Sequence, residues 1–267
     1  MKLKKIMGAL LATTLLFGCS SNQENKTPTD EDFVLNVAKG LEARWDLNDQ
    51  DDTDSMSTSK LQKAYRSYIK AEKDQVGKLS KYKFKDKELK SIAEQYINGL
   101  ELQEEGIQYV GTDNYSDQQK TWTLGYNYRI VSITKMAEDY GLTVDSKYQE
   151  TLDDMIAEEP TAKRDVDIQD FVNNLQATLT YTKDESQSDE YHNSYTAIIE
   201  NTTDYTINSM DLQLDFLDAS GVTIGQSNDY LNDIAPGSKM QSTIEYYDLE
   251  SKGEPASFKL TVTAYSN

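Results

Sequence analysis

Between residues 33 and 156 the apolar positions recur at intervals of three and four, the period of a helix with one buried face. Phe33, Val37, Leu41 and Trp45 carry the first stripe. It follows a start signal in Thr29 and Asp32, whose side chains suit the free amides of a first turn. Leu61, Tyr65, Tyr68, Glu72, Val76 and Leu79 carry a second and longer stripe in which Glu72 is one polar exception. Leu89, Ile92, Tyr96, Leu100, Gln103 and Ile107 mark a third. Trp122, Tyr126, Ile130, Ile133, Ala137 and Tyr140 mark a fourth, stopped by Gly141, and Val144, Tyr148, Leu152 and Ile156 suggest a fifth. Trp45 and Trp122 stand on these stripes and are expected in the core. Short connections between long amphipathic segments favour antiparallel neighbours, so residues 30–159 are expected to form an antiparallel helical bundle that ends at Pro160-Thr161.

Beyond about residue 170 the period becomes two, the signature of half-buried strands. Leu175, Ala177, Leu179 and Tyr181 form the first run and Phe258, Leu260, Val262 and Ala264 the last. Between them lie Tyr195 to Glu200, Met210 to Leu217, Val222 to Gly225 and Met240 to Tyr246, separated by turn residues. One such turn pairs Asp218, which bonds backbone amides, with Gly221, which takes a positive φ. The predicted fold class is therefore α+β in two domains. A linker at 160–170 joins the N-terminal bundle to a C-terminal Ig-like antiparallel β-sandwich over 171–267.

Residues 1–18 follow neither period. Lys2, Lys4 and Lys5 precede the apolar run Ile6 to Phe17, the layout of a secretory signal peptide. A membrane span needs roughly 20 apolar residues, and this run is shorter. The sequence Leu16-Phe17-Gly18-Cys19, followed by Ser20, Ser21 and Asn22, resembles the lipobox of bacterial lipoproteins. That resemblance implies signal cleavage after Gly18 and a diacylglyceryl group on Cys19, with 19–29 as a lipidated tether. Phe17 is bulkier than the residue usual there. Cys19 is the only cysteine, so no intramolecular disulfide can form. The expected location is the outer face of the cytoplasmic membrane, with that membrane as a partner through the anchor.

A second resemblance is carried by Glu200-Asn201-Thr202-Thr203-Asp204, then Leu212 to Asp218, Gly221 and Pro236-Gly237. This stretch resembles the small extracytoplasmic β-sandwich domain called FxLYD, common in lipoproteins of Gram-positive bacteria. Leu214, Phe216 and Leu217 stand where that name implies Phe, Leu and Tyr, while Asp218 fits. The resemblance covers roughly the last 80 residues. It implies fold and location and no catalytic residue.

Charge narrows the partners. With 27 Lys and Arg against 46 Asp and Glu, the chain carries a formal charge of -19, so nucleic acid is an unfavourable partner. The balance is uneven along the chain. Lys60 to Lys90 holds eleven Lys or Arg and four acids, and Lys63, Arg66, Lys70 and Lys73 share one helical face. Two readings stay open for that face: contact with anionic headgroups or wall polymers, or a solvated surface paired with acids on neighbouring helices.

Candidate chemistry is thin. Asp46, Asn48, Asp49, Asp51, Asp52 and Asp54 attract attention as a cation loop. Yet an EF-hand register from Asp46 or Asp49 puts Asp51 or Asp54 where Gly is needed and Ser57 or Lys60 where a bidentate Glu belongs. A solvated interhelical loop is the expectation, with no metal and no cofactor. His192 is the only histidine, without a second His or Cys to complete a zinc set. No Gly-x-Ser-x-Gly elbow supports a Ser-His-Asp triad. Tyr230, Tyr247 and Tyr265 are expected to face outward, as edge packing or as part of an interface. The sequons at Asn114 and Asn201 carry little weight in a bacterial lipoprotein. The expected function is a non-catalytic binding or interaction module at the cell envelope, for an envelope protein or an anionic wall polymer. The alternative is an extracytoplasmic carboxylate-dependent hydrolase, which would need a deep pocket with two close carboxylates.

Overall fold

The structure, a computed structural model, describes residues 27–247 and 249–266. Gly18 and Cys19, with the rest of the expected signal peptide and most of the expected tether, lie outside the described residues. The first helix, α1 (Asp30–Asn48), starts where its capping residues place it. The Asp32 carboxylate accepts the Thr29 amide at 2.7 Å and the Thr29 hydroxyl at 3.0 Å. Helix α2 (Thr58–Val76) ends at Gly77, whose φ of 66° no side chain tolerates easily. Leu79, read as the end of that stripe, lies beyond it in a short turn, Leu79–Lys81. Helix α3 (Lys87–Gly106) is capped by Asp86, which accepts the amides of Glu88 and Leu89. A single turn α4 (Tyr115–Gln118) and a π-helical turn over Gln119–Thr123 lead into α5 (Leu124–Tyr140), closed by Gly141 in the left-handed region. Helix α6 (Gln149–Ala157) follows.

These helices bury the predicted stripes. Phe33, Val37, Leu41, Leu89, Leu100 and Ile133 are at 0% exposure in one shared core. Glycines bring α3 and α5 together. A Cβ on Gly125 would stand 2.6 Å from the Gly99 carbonyl oxygen, and one on Gly99 would stand 2.7 Å from that of Gly125. Both distances are impossible contacts, so any larger residue at either position forces the helices apart.

Pro160 does not end the helical part. It lies in the first turn of α7 (Glu159–Thr178), where its missing N–H removes no bond because first-turn amides have no intrahelical acceptor. Residues 160–170, expected as a linker, are therefore helical. The alternation at Leu175 and Ala177 falls in the last turns of the same helix. Its burial follows the helical period: Ile168, Phe171, Val172 and Leu175 are buried together. The amino-terminal half of α7 joins the helices, through Ala162 in their core and the bonds Asn127 to Asp165 at 3.2 Å and Tyr128 to Asp170 at 2.9 Å. Its other half packs Phe171, Val172 and Leu175 on the sheets, against Ile199, Met210 and Leu212.

The C-terminal part holds β1 (Thr182–Lys183), β2 (Asn193–Glu200), β3 (Ile207–Leu217), β4 (Thr223–Ile234), β5 (Lys239–Tyr246) and β6 (Ser257–Tyr265), with a one-turn helix α8 (Leu249–Lys252) between the last two. Two antiparallel sheets form, in the orders β1-β2-β5 and β4-β3-β6, sandwich-like but not closed. Strand β4 runs nine residues past the expected Val222 to Gly225, because cross-strand polar bonds sustain it after apolar alternation lapses. One of these is Gln226 Nε2 to Asp215 at 2.7 Å. The turn after β2 is organised by Asn201, which is fully buried. Its side chain donates to the carbonyls of Tyr205 and Ile234 at 2.8 Å each and accepts from the Thr203 amide and hydroxyl.

Candidate functional site

Three features outside ordinary core packing bear on function. The first is a buried ion cluster that ties four helices. Glu72 on α2, at 0% exposure, accepts from Arg129 of α5 through Nη2 at 2.6 and 2.8 Å and through Nε at 3.1 Å. Arg44 of α1 donates to it at 2.9 Å and the Tyr96 hydroxyl of α3 bonds it as well. Gln103 of α3 accepts from both arginines, at 3.2 and 3.3 Å, while its Nε2 has no hydrogen-bond partner. Burial alone pushes the Glu72 carboxyl up, but Arg129 and Arg44 outweigh it and hold the group below the usual carboxylate range. Burial and the Glu72 charge push Tyr96 well above its ordinary value. A carboxylate held ionised with its oxygens occupied is a poor base, so the cluster is a strut between helices. Sequence reading noticed Glu72 only as a polar exception. The available signal was that Glu72 and Gln103 both stand on apolar stripes, which calls for buried partners.

The second feature is the basic segment, which the fold divides. Lys70 pairs with Asp74 along its own helix and Lys73 lies 2.6 Å from Glu104 of α3. Lys63 and Arg66 are exposed and make no ion pair among the described residues. Half of the predicted contact face is therefore spent on internal pairs. Beyond α2, Lys78, Lys81, Lys83, Lys85 and Lys87 are also exposed, and none of them has a carboxylate ion pair among the described residues.

The third feature is a groove of about 790 Å³ between the α4–α5 region, α7 and strand β6. Tyr115, Asn127, Arg164, Asn173 and Gln176 line one side and Thr261 to Ser266 the other. β6 is the edge strand of its sheet. The Val262 amide points away from β3 and donates to Gln176 Oε1 at 3.0 Å, so the outer edge of the strand faces the groove. Arg164 keeps a buried Nε without a hydrogen-bond partner, though it lies 3.5 Å from the Asp165 carboxylate as an ion pair. Asp165 is the single carboxylate of the lining and accepts from Asn127. The polar donors and strand edge suit a hydrogen-bonding chain.

The other sequence candidates fall outside these features. Asp46 is not in a loop but in the last turn of α1, where it accepts from Lys147 at 2.9 Å and from the Tyr148 hydroxyl. Asp51 accepts the Tyr68 hydroxyl at 2.5 Å. Among the described residues no three His, Cys, Asp or Glu side chains converge as a metal set. His192 bonds Asp189 at 2.9 Å and stacks on Tyr247. Asp218 accepts the amides of Ser220 and Val222 and Gly221 has φ 79°, the turn that the spacing predicts. Trp45 is buried against Tyr148, Trp122 is half-buried against Tyr65, and Tyr230, Tyr247 and Tyr265 are exposed. No helix among the described residues is long and apolar enough to cross a membrane. Set against models of protein families the chain matches none, and no curated protein sequence matches it.

Proposed function

We propose that this chain is a lipoprotein anchored through Cys19 at the outer face of the cytoplasmic membrane, and that its body is a non-catalytic module that binds an extended stretch of an envelope protein. The observation that carries the reading is the groove beside β6. A strand edge, flanked by the amide side chains of Asn173 and Gln176 and by Arg164, offers an incoming peptide main-chain pairing along one side, in place of the Gln176 side chain now bonded to the Val262 amide, and polar contacts along the other. A single carboxylate in the lining does not favour the two-carboxylate hydrolase. In this reading the sheets form the FxLYD-like sandwich that the turn residues after β2 resemble.

A photoreactive residue at Tyr115 or Tyr265, both exposed at the groove, and a control at Tyr230 on β4, the opposite edge of the same sheet, test it in living cells. The expected result is one stoichiometric protein adduct at the two groove positions, mapped to an extended segment of the partner, and none at Tyr230. Equal adducts at all three positions, or adducts to wall polymer alone, would sink the reading.

A further inference from the structure

The described chain begins against its most basic turn. The Pro28 carbonyl accepts the Lys83 amide at 2.8 Å, and the Asp30 carboxylate accepts the amides of Lys85 and Asp86 at 3.0 and 3.1 Å. Pro28 and Asp30 are thereby held against the turn between α2 and α3. Eight residue steps separate Cys19 from Thr27, a reach of at most about 29 Å. Resting on the reading of Cys19 as the anchor, we propose that the turn from Lys78 to Lys87 is the face laid on anionic lipid headgroups.

Charge and shape agree. Residues 78–90 hold six lysines against two acids in a chain of formal charge -19. Both acids are engaged: Asp86 caps α3 and Glu88 lies 3.6 Å from Lys135. Half-buried Leu79 and Phe84, with Lys83 and Lys90, line a shallow pocket of about 380 Å³ in the middle of this turn. Apolar groups set among lysines match a headgroup layer, which takes the apolar part at the acyl boundary and the ammonium groups among the phosphates. An acidic body held so near a negatively charged surface is repelled from it wherever its carboxylates face that surface. The membrane contact thus falls not on the α2 face of Lys63, Arg66, Lys70 and Lys73, half of which is internally paired, but on the turn that Pro28 and Asp30 bond.

Acetylation of lysines by a water-soluble reagent, read by mass spectrometry on the full chain reconstituted in vesicles, tests it. On phosphatidylglycerol–phosphatidylcholine vesicles, Lys78, Lys81, Lys83, Lys85 and Lys87 are expected to react about five-fold or more slowly than on phosphatidylcholine alone, while Lys239 and Lys259 on the sheets do not change. The exposed triple variant Lys81→Gln, Lys83→Gln, Lys85→Gln is expected to remove the protection of Lys78 and Lys87. Equal reactivity on the two vesicle types, or equal protection of Lys239 and Lys259, would overturn the assignment. So would equal protection by soluble poly(glycerol phosphate) without vesicles, which assigns the turn to a wall polymer. The mass of the Cys19 peptide in the same samples reads the anchor separately. An unacylated Cys19 with a protected turn defeats the anchor alone, and an acylated Cys19 with an unprotected turn defeats the turn alone.

Discussion

At the scale of single residues, Glu72 has the most to lose. Removing one member of a buried ion cluster leaves the others unpaired in a low dielectric, at a cost of about 3–5 kcal/mol. Glu72→Gln is therefore expected to lower the midpoint of urea unfolding strongly. A variant with Met at positions 44 and 129 and Leu at 72 should recover much of the loss, because it leaves no unpaired charge. The pH dependence has a definite sign. The folded state holds the Glu72 carboxyl below its unfolded value of about 4.3, so its contribution is complete above that pH and is lost as pH falls through the folded value. Between pH 5 and acid unfolding the wild type should lose stability more steeply than Glu72→Gln, which has no proton to bind there. A parallel pair of profiles would show that the cluster does not hold Glu72 ionised. Asn201 is a second such residue, with two backbone carbonyls depending on its amide. Asn201→Ala should cost about 2 kcal/mol or more in thermal unfolding, since it orphans buried acceptors.

At the scale of elements, the helical stripes were legible because each is a local pattern repeated over three or more turns, the first opened by Thr29 and the fourth closed by Gly141, whereas the stop at Gly77 was missed because Leu79 continues the apolar spacing beyond it. The failure at Pro160 has an equally local cause. Proline reads as a breaker, yet in a first turn it costs nothing, and only the position of Glu159 at the start of α7 reveals which case applies. Short runs such as Leu175 to Tyr181 fit both periods, and the apolar surface they meet decides between them. The close approach of α3 and α5 was not legible at all, because Gly99 and Gly125 are 26 positions apart in sequence and nothing local relates them. Gly99→Ala or Gly125→Ala should destabilise by about 1–3 kcal/mol through overpacking, despite the better helix propensity of alanine. A neutral or stabilising effect in calorimetry would mean that the two helices sit farther apart than described.

At the scale of the whole molecule, the uneven charge is the property with consequences. Lysines concentrated between Lys60 and Lys90, in a chain of net -19, make a dipolar body whose orientation near a charged surface depends on salt. Protection of the lysine turn on anionic vesicles is expected to weaken markedly between 50 mM and 500 mM salt, while anchoring by acyl chains stays intact in flotation. The amino-acid pattern by itself determined the α+β order, the helical stripes, the turns at Gly141 and Gly221, the signal-like start and the sign of the charge, all of which arise from neighbours along the chain. Only the tertiary structure decided that Glu72 meets Arg44 and Arg129, that half the α2 lysines are paired, that α7 spans helices and sheets, and that β6 turns its edge to a groove. Apart from the local Lys70–Asp74 pair, those facts depend on residues from 28 to about 90 positions apart, whose meeting is governed by packing and desolvation rather than by any local preference.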